Sequence, residues 1–158
     1  MRRTDREIKS MEDITSIIEK CDVCRLALFD EEYPYIVPLN FGCTYENEQL
    51  TFYFHGAKVG KKLSLIDANN KVGFEMDCSH ELIEGDEACE YSMAYESVCG
   101  NGQVDRLDKD SKINALNKIM KQYTSMENFQ FNEKVLEMTE VFQLKVHNIT
   151  GKRKTVKK

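Results

Sequence analysis

The stretch from Leu50 to Ile66 changes from the periodicity of a strand to that of a helix. Residues 50–54 form an apolar and aromatic run, which is typical of a mostly buried strand. Further on, Val59, Leu63 and Ile66 are spaced i, i+4 and i+7, which predicts one apolar face of a helix. We therefore expect a strand, a turn and a helix in direct succession, and the rest of the chain must fold around this unit.

The turn between this strand and helix contains one histidine, two glycines and three lysines. Lys61 and Lys62 fall in the predicted first turn of the helix, where unpaired N–H groups carry partial positive charge and lysines are mildly unfavourable. An anion bound by those N–H groups and by the two ammonium groups would explain the lysines. Gly56 and Gly60 would let the backbone approach such a ligand closely. The alternative is a lysine cluster on a solvent-exposed turn.

Composition limits the class of protein. The chain has 158 residues, of which 41% are hydrophobic and 31% are charged, as expected of one folded domain. No apolar run approaches the ~20 residues of a membrane-spanning helix. No hydrophobic run follows the basic N-terminal residues, so we predict no secretory signal and a cytoplasmic location.

The charge is unevenly distributed along the chain. The formal net charge is −5, yet the last eight residues contain five basic side chains, and removing them leaves −10. We therefore predict a single domain over residues 1–150 and a basic, frayed tail over residues 151–158. An acidic body argues against a nucleic-acid surface.

Six cysteines are present, and in the absence of a secretory signal their thiols are expected to stay reduced. Cys21 and Cys24 form a CxxC pair, but no second pair and no paired histidines accompany it, so no metal site is predicted. Cys24 also alternates with Leu26 and Leu28, as a small core residue on one face of a strand would.

Short apolar runs bounded by turn residues predict six strands, over residues 23–29, 35–45, 50–54, 71–78, 95–107 and 140–150. Helical spacing of apolar residues predicts helices over residues 11–20, 59–68, 109–123 and 129–138. Asp108 is the expected cap of the longest helix, whose predicted apolar stripe is Ile113, Leu116, Ile119, Met120 and Tyr123. Residues 79–91 are acidic and lack a clear period, which predicts a surface loop.

The first three strands are predicted to form an antiparallel meander, because their connections are short. Pro38 cannot donate a ladder hydrogen bond, so its strand must be at an edge, bulged or facing a ligand there. The whole pattern predicts a mainly β protein with flanking helices, arranged as a small closed antiparallel barrel rather than a doubly wound parallel sheet.

Several segments together resemble a known family. They are Cys-Asp-Val-Cys-Arg-Leu (21–26), Tyr-Pro-Tyr-Ile-Val-Pro-Leu-Asn-Phe-Gly (33–42), Phe-His-Gly-Ala (54–57), Gly-Lys-Lys (60–62), Phe-Glu-Met (74–76), Tyr-Glu-Ser-Val-Cys-Gly-Asn-Gly (95–102) and Ile-Thr-Gly-Lys-Arg (149–153). Over roughly residues 2–153 the chain resembles the pyridoxamine 5′-phosphate oxidase-like proteins with an FMN-binding split barrel. Within them it is most similar to the nitroimidazole-resistance branch.

The resemblance implies a six-stranded Greek-key barrel that forms a homodimer, with FMN in the clefts between protomers. It also implies a cofactor-binding set in which residues 37–40 line the isoalloxazine, residues 55–57 continue that wall, Lys61 and Lys62 hold the phosphate, and Ser97 approaches from the partner. The members of this set are Val37, Pro38, Leu39, Asn40, His55, Gly56, Ala57, Lys61, Lys62 and Ser97. The C-terminal segment departs from that of pyridoxamine phosphate oxidases, since it has no Arg-x-His arrangement and no tryptophan, which argues against vitamin B6 oxidase activity.

Two functions follow from the resemblance. The first is an FMN-dependent oxidoreductase that passes electrons to a small electrophile such as a nitroaromatic, a nitroimidazole or a quinone, with the cofactor carrying the electrons. The second is a flavin carrier or a haem-binding protein without turnover, in which His55 would be the axial ligand. In the first, His55 is the predicted catalytic acid or hydrogen-bond donor. His80 and His147 are expected to be structural.

Overall fold

The computed structural model describes residues 3–156. Its helices are α1 (Met11–Lys20), α2 (Lys61–Ala68), α3 (Lys109–Tyr123) and α4 (Glu133–Met138). Its strands are β1 (Glu7–Ile8), β2 (Cys24–Leu28), β3 (Tyr35–Leu39), β4 (Gly42–Glu46), β5 (Gln49–Ala57), β6 (Lys71–Ile83), β7 (Ser92–Arg106) and β8 (Thr139–Lys154). The predicted helices are all present, and the predicted strand 35–45 is divided in two.

All strand pairs are antiparallel, and seven strands form one hydrogen-bonded path in the order β3-β2-β6-β7-β8-β5-β4, with β1 added beside β8. The strands at the two ends of this path, β3 and β4, are joined in the chain only by Asn40 and Phe41. Two residues span at most ~7 Å beyond their neighbours, so the sheet must curl until its ends meet. The predicted class, a mainly β antiparallel split barrel with flanking helices, is confirmed, with eight strands in the described residues instead of six.

The predicted meander of the first three strands is wrong. β2 pairs with β3, but β4 pairs with β5, and β5 pairs with β8. The break at Asn40 and Phe41 moves the chain from one edge of the sheet to the other, so the two hairpins lie at opposite ends of the path. Pro38 does lie on an edge strand, because among the described residues β3 pairs only with β2, and edge strands are where a sheet tolerates proline.

The barrel interior is filled by aromatic and branched side chains. The rings of Phe41 and Phe74 both contact that of Phe52 edge to face, with centroids 5.8 Å and 5.1 Å away, a preferred geometry for aromatic pairs. Helix α1 contributes Ile14, Ile17 and Ile18 to the same core, as its spacing predicts. Cys24, Leu26 and Leu28 are also buried there.

Helix α3 packs on the outside of the barrel, where Ala115, Leu116 and Ile119 meet Tyr53 and Val141. Its amino terminus is capped by Asp108, whose carboxylate accepts from the backbone N–H of Ser111 at 2.8 Å, as predicted. The predicted stripe is partly wrong, since Ile113 is 48% exposed and Ala115 takes a place on the buried face. Helix α3 approaches β4 so closely that a Cβ on Gly42 would lie 2.4 Å from the backbone carbon of Lys118.

Two boundary predictions need correction. The predicted loop 79–91 begins as strand, because β6 resumes pairing with β7 after a bulge between Cys78 and Glu81 and continues to Ile83. The predicted tail also begins too early, because β8 extends through residues 151–154, where Gly151 is buried beneath Ile8 and Ile14. Residues 157 and 158 of that tail lie outside the described residues. Within the described residues, no helix is long and apolar enough to cross a membrane.

Candidate functional site

Strand β5 places His55 and Gly56 at its carboxyl-terminal end. The strand is buried on both faces from Leu50 to Phe54, because Phe52 and Phe54 point into the barrel while Tyr53 packs under α3. His55 alternates with Phe54 and lies on the helix-covered side with Tyr53. Its side chain is exposed, so the continuous cover of the strand ends at this residue.

A connection of three residues separates β5 from helix α2, whose amino terminus is open. Gly60 is its N-cap at φ +143°, a conformation that favours glycine, and its carbonyl accepts from the backbone N–H groups of Leu63 and Ser64 at 3.0 Å and 3.3 Å. The first turn contains no acidic side chain and no side-chain cap. The predicted apolar face is correct for Leu63 and Ile66 but wrong for Val59, which precedes the helix and is 83% exposed.

The two lysines of this first turn have different surroundings. The Lys61 ammonium lies 2.6 Å from a carboxylate oxygen of Asp30 and 5.4 Å from the ring centroid of Tyr35. The Lys62 ammonium lies over Gly56, where a Cβ would be 2.5 Å from Nζ, and it forms no ion pair with the described residues. Lys62 is therefore the cation free to meet an anion at the helix start, while Lys61 already has a carboxylate partner.

The positive charge of Lys62 acts on the imidazole of His55. The imidazole reaches solvent but is partly buried, and this partial burial lowers its pKa, which the positive charge of Lys62 lowers further. Both effects favour the neutral ring at pH 7. His55 can therefore offer an N–H donor and a nitrogen lone pair at that pH, rather than a positive charge.

Residues 37–40 lie on the edge strand β3 and its exit. Val37 and Leu39 are half-buried and pack against the barrel core, whereas Pro38 and Asn40 are exposed. The strand begins at Tyr35, beside Lys61, and Asn40 lies five residues further on, ~17 Å along an extended chain. The amide of Asn40 donates to the carbonyl of Asp22 at 3.3 Å.

Ser97 is not brought to this site within one chain. It pairs with Lys152 on β8, whereas His55 pairs with Val141 on the same strand. Along β8, Val141 and Lys152 are therefore roughly 35 Å apart, at ~3.3 Å per residue. Ala57, by contrast, is the last residue of β5 and lies directly beside Gly56.

The partner of Lys61, Asp30, was not predicted from the sequence. It belongs to the acidic turn between β2 and β3, and nothing in the pattern Asp-Glu-Glu distinguishes it from its exposed neighbours. The CxxC residues have no site chemistry: Cys21 and Cys24 are buried, and burial raises the pKa of both thiols. Among the described residues, no group of three or more histidine, cysteine or acidic side chains is arranged to hold a metal.

Comparison with known proteins places this site in context. The sequence profile of a family described as pyridoxamine 5′-phosphate oxidase matches residues 10–153. A candidate 5-nitroimidazole antibiotic resistance protein from Bacteroides thetaiotaomicron has a similar structure, with a TM-score of 0.79 and 34% identity over 93% of this chain and 86% of its own. A search of curated proteins finds no match.

More distant structures share the fold alone. The flavocytochrome Anf3 from Azotobacter vinelandii has a TM-score of 0.82 at 16% identity, over 99% of this chain and 72% of its own. An FAD and heme binding protein from Mycobacterium smegmatis has a TM-score of 0.84 at 17% identity, over 96% of this chain and 74% of its own. The profile match over most of the chain, together with the relative at 34% identity, carries the assignment: this chain belongs to the pyridoxamine 5′-phosphate oxidase family.

Proposed function

We propose that this protein binds FMN and reduces a small electrophile of the nitroaromatic, nitroimidazole or quinone type. The observation that carries the proposal is the Lys62 ammonium, which is packed over Gly56 at the open start of α2 with no ion-pair partner among the described residues. Helix N-termini with free N–H groups favour phosphate, and a lysine adds a charge-assisted hydrogen bond. A phosphate-bearing flavin satisfies this site, whereas riboflavin lacks the group that would use it.

The relative from Bacteroides thetaiotaomicron supports the choice of substrate class, because it is a candidate 5-nitroimidazole resistance protein at 34% identity. When bound and reduced by an external donor, the flavin would supply two electrons. With two protons, these convert a nitro group to a nitroso group with loss of water, or a quinone to a hydroquinone. The chain itself binds and orients the reactants. The C-terminal segment is basic but has no Arg-x-His arrangement and no tryptophan, which argues against vitamin B6 substrates, so the proposal does not include them.

His55 is the proposed catalytic residue. It is exposed beside Gly56 and Lys62, and its lowered pKa keeps the ring neutral at pH 7. A neutral imidazole N–H can donate to a nitro or carbonyl oxygen as negative charge develops there. Such donors contribute typically ~10²–10⁴-fold in rate.

The proposed assembly is a homodimer with the flavin between protomers. Within one chain, Ser97 is separated from His55 by most of the length of β8. A second copy could bring Ser97 and the exposed edge residues of β3 to the flavin. Light scattering that reports only monomer at micromolar concentration would contradict this assembly.

A cofactor-binding protein without turnover is the second candidate. It is favoured by the exposed, neutral imidazole of His55, which is also a good axial ligand for haem iron. The visible spectrum of the purified protein separates the candidates, since a flavin band supports the first proposal and a Soret band supports haem.

The decisive experiment compares single lysine variants in FMN titrations. Lys62→Ala should weaken FMN binding by roughly 10- to 100-fold, the loss of one charge-assisted hydrogen bond. Lys61→Ala is the matched control on the same helix turn, and it should weaken binding less because Asp30 already holds Lys61. Riboflavin, which has no phosphate, should bind wild type, Lys61→Ala and Lys62→Ala about equally and weakly. Full FMN affinity in Lys62→Ala would remove the phosphate site from the proposal.

Turnover is tested without knowing the physiological reductant. Bound flavin is photoreduced under anaerobic conditions and mixed with nitrobenzene, and its reoxidation is followed by absorbance. Reoxidation slower by ~10²-fold or more in His55→Ala, with flavin still bound, supports the proposed donor. Loss of flavin with unchanged rate per bound flavin would assign His55 a packing role instead.

A further inference from the structure

A cavity of about 200 Å³ lies between α3 and α4, beside the end of β5. Most of its wall is apolar and comes from the two helices and their connection, including Leu116, Met120 and Val135. The polar residues on the wall are His55, Asn132 and Thr139. Apolar cavities with few polar groups are the usual form of small-molecule sites.

Two of these three polar side chains already have partners within the helix. Asn132 caps α4 by accepting from the backbone N–H groups of Lys134 and Val135 at 3.0 Å and 3.3 Å. The Thr139 hydroxyl donates to the carbonyl of Val135 at 2.8 Å. The imidazole of His55 makes no hydrogen bond with the described residues, so it is the polar group on this wall that is available to a ligand.

The size of the cavity restricts what can enter. An apolar cavity of ~150 Å³ in another protein binds benzene. A volume of about 200 Å³ therefore accepts one aromatic ring with one or two small substituents. A single free donor on the wall favours a ligand with a hydrogen-bond acceptor such as a nitro or carbonyl oxygen.

His55 adjoins the cavity and the proposed phosphate site together. It lines the cavity wall, and it is the neighbour of Gly56, over which the Lys62 ammonium lies. We propose that this cavity is the substrate pocket, which takes a neutral, single-ring aromatic or heteroaromatic electrophile with its oxygen on His55. The identification of the ligand as a substrate rests on the proposed function, whereas the pocket itself does not.

Binding is tested on the protein as purified, with methionine methyl groups labelled for NMR. Met120 lines the cavity, whereas Met138 is on α4 outside the lining. Nitrobenzene should shift the Met120 methyl signal in a saturable way and leave that of Met138 in place.

Two tryptophan variants test the location. Val135→Trp fills the cavity from a residue that is 56% exposed, and Met138→Trp is the matched control on the same helix at a residue that is 66% exposed. Val135→Trp should weaken nitrobenzene binding about tenfold or more and raise its KM in flavin reoxidation, with FMN affinity unchanged. Met138→Trp should change neither. Equal binding of nitrobenzene by Val135→Trp and wild type would overturn the pocket.

Toluene separates the role of His55 from that of the apolar wall. Wild type should prefer nitrobenzene to toluene, and His55→Ala should lose that preference while still binding toluene. A preference retained in His55→Ala would overturn the contact with His55. Because these titrations need no flavin, a protein that binds nitrobenzene at Met120 but shows no flavin band would contradict the proposed function and leave the pocket standing.

Discussion

Glu96 is a buried carboxylate whose removal should cost more stability than that of any exposed ion pair. It lies on β7 and is 7% exposed. One of its oxygens accepts from Lys20 at 2.8 Å and from Ser79 at 2.9 Å, and the other accepts from Arg153 at 2.5 Å. The carboxylate therefore joins the end of α1 to three strands of the barrel.

The size of the effect follows from the pKa. Burial raises the pKa of Glu96, but the hydrogen bonds from Lys20, Arg153 and Ser79 outweigh it and lower the pKa from 4.5 to about 2. At ~1.4 kcal/mol for each pKa unit, the ionised group contributes about 3 kcal/mol to folding. Because the folded pKa is depressed, this contribution is complete above about pH 5 and is lost as the pH falls towards 2.

The assay is urea denaturation of wild type and Glu96→Gln at fixed protein concentration. At pH 7 the variant should lose about 3 kcal/mol of unfolding free energy, which is ~6–12 °C in Tm for a chain of this size. The difference between the two proteins should shrink steadily from pH 5 to pH 2.5. Glu75→Gln is the control, since its pair with Arg25 is exposed and should be worth ~0–1 kcal/mol. A difference that is absent at pH 7, or unchanged at pH 2.5, would refute the reasoning.

Three further changes have outcomes that the structure fixes. Gly56→Ala should keep the fold, because its new methyl meets only the flexible end of Lys62, but it should weaken FMN binding about tenfold in titrations by displacing that ammonium. Gly42→Ala should cost ~1–3 kcal/mol in urea denaturation, because the methyl meets backbone of α3; Gly73→Ala, with its nearest neighbour 3.8 Å away, should cost far less. Alkylation at pH 8, followed by mass spectrometry, should modify the exposed Cys89 and Cys99 before the buried Cys21 and Cys24, which should react only on unfolding. Early modification of Cys21 would contradict its burial.

The sequence predicts the elements of this fold better than their pairing. Local patterns such as Leu50 to Phe54, or Ile14, Ile17 and Ile18 on α1, depend on neighbours in the chain, and the structure confirms them. The pairing of β5 with β8 depends on contacts that no local pattern records. The division of strand 35–45 at Asn40 and Phe41 depends in part on α3, since the hydroxyl of Tyr123 accepts from the backbone N–H of Phe41 at 2.9 Å.

In the candidate site, too, the sequence predicts local features but not the contacts between side chains that are distant in the chain. Local electrostatics at Lys61 and Lys62 allows either an anion site or a solvent-exposed lysine cluster, and the family resemblance favours the anion site. The structure shows that Gly60 starts α2 with no side-chain cap and no acidic residue in the first turn. Which lysine is free depends on Asp30, a residue from another hairpin whose role has no sequence signal. The cavity beside His55 is equally hidden, because its wall combines β5, α3 and α4.

Lys61 and Lys62 are adjacent in the chain but make different contacts, Lys61 with Asp30 and Lys62 over Gly56. An ion pair between half-exposed groups is worth little by itself, but the contact of Lys61 with Asp30 and the Tyr35 ring fixes the β2–β3 turn against the start of α2. With that ammonium occupied, the residual positive charge at the helix start is concentrated on Lys62 and the open N–H groups. The absence of a side chain at Gly56 then lets Lys62 lie beside His55. Burial is the larger cause of the lowered pKa of His55, and the Lys62 charge that favours a phosphate at α2 lowers this pKa further. Replacing Lys62 should therefore weaken anion binding and raise the pKa of His55 together.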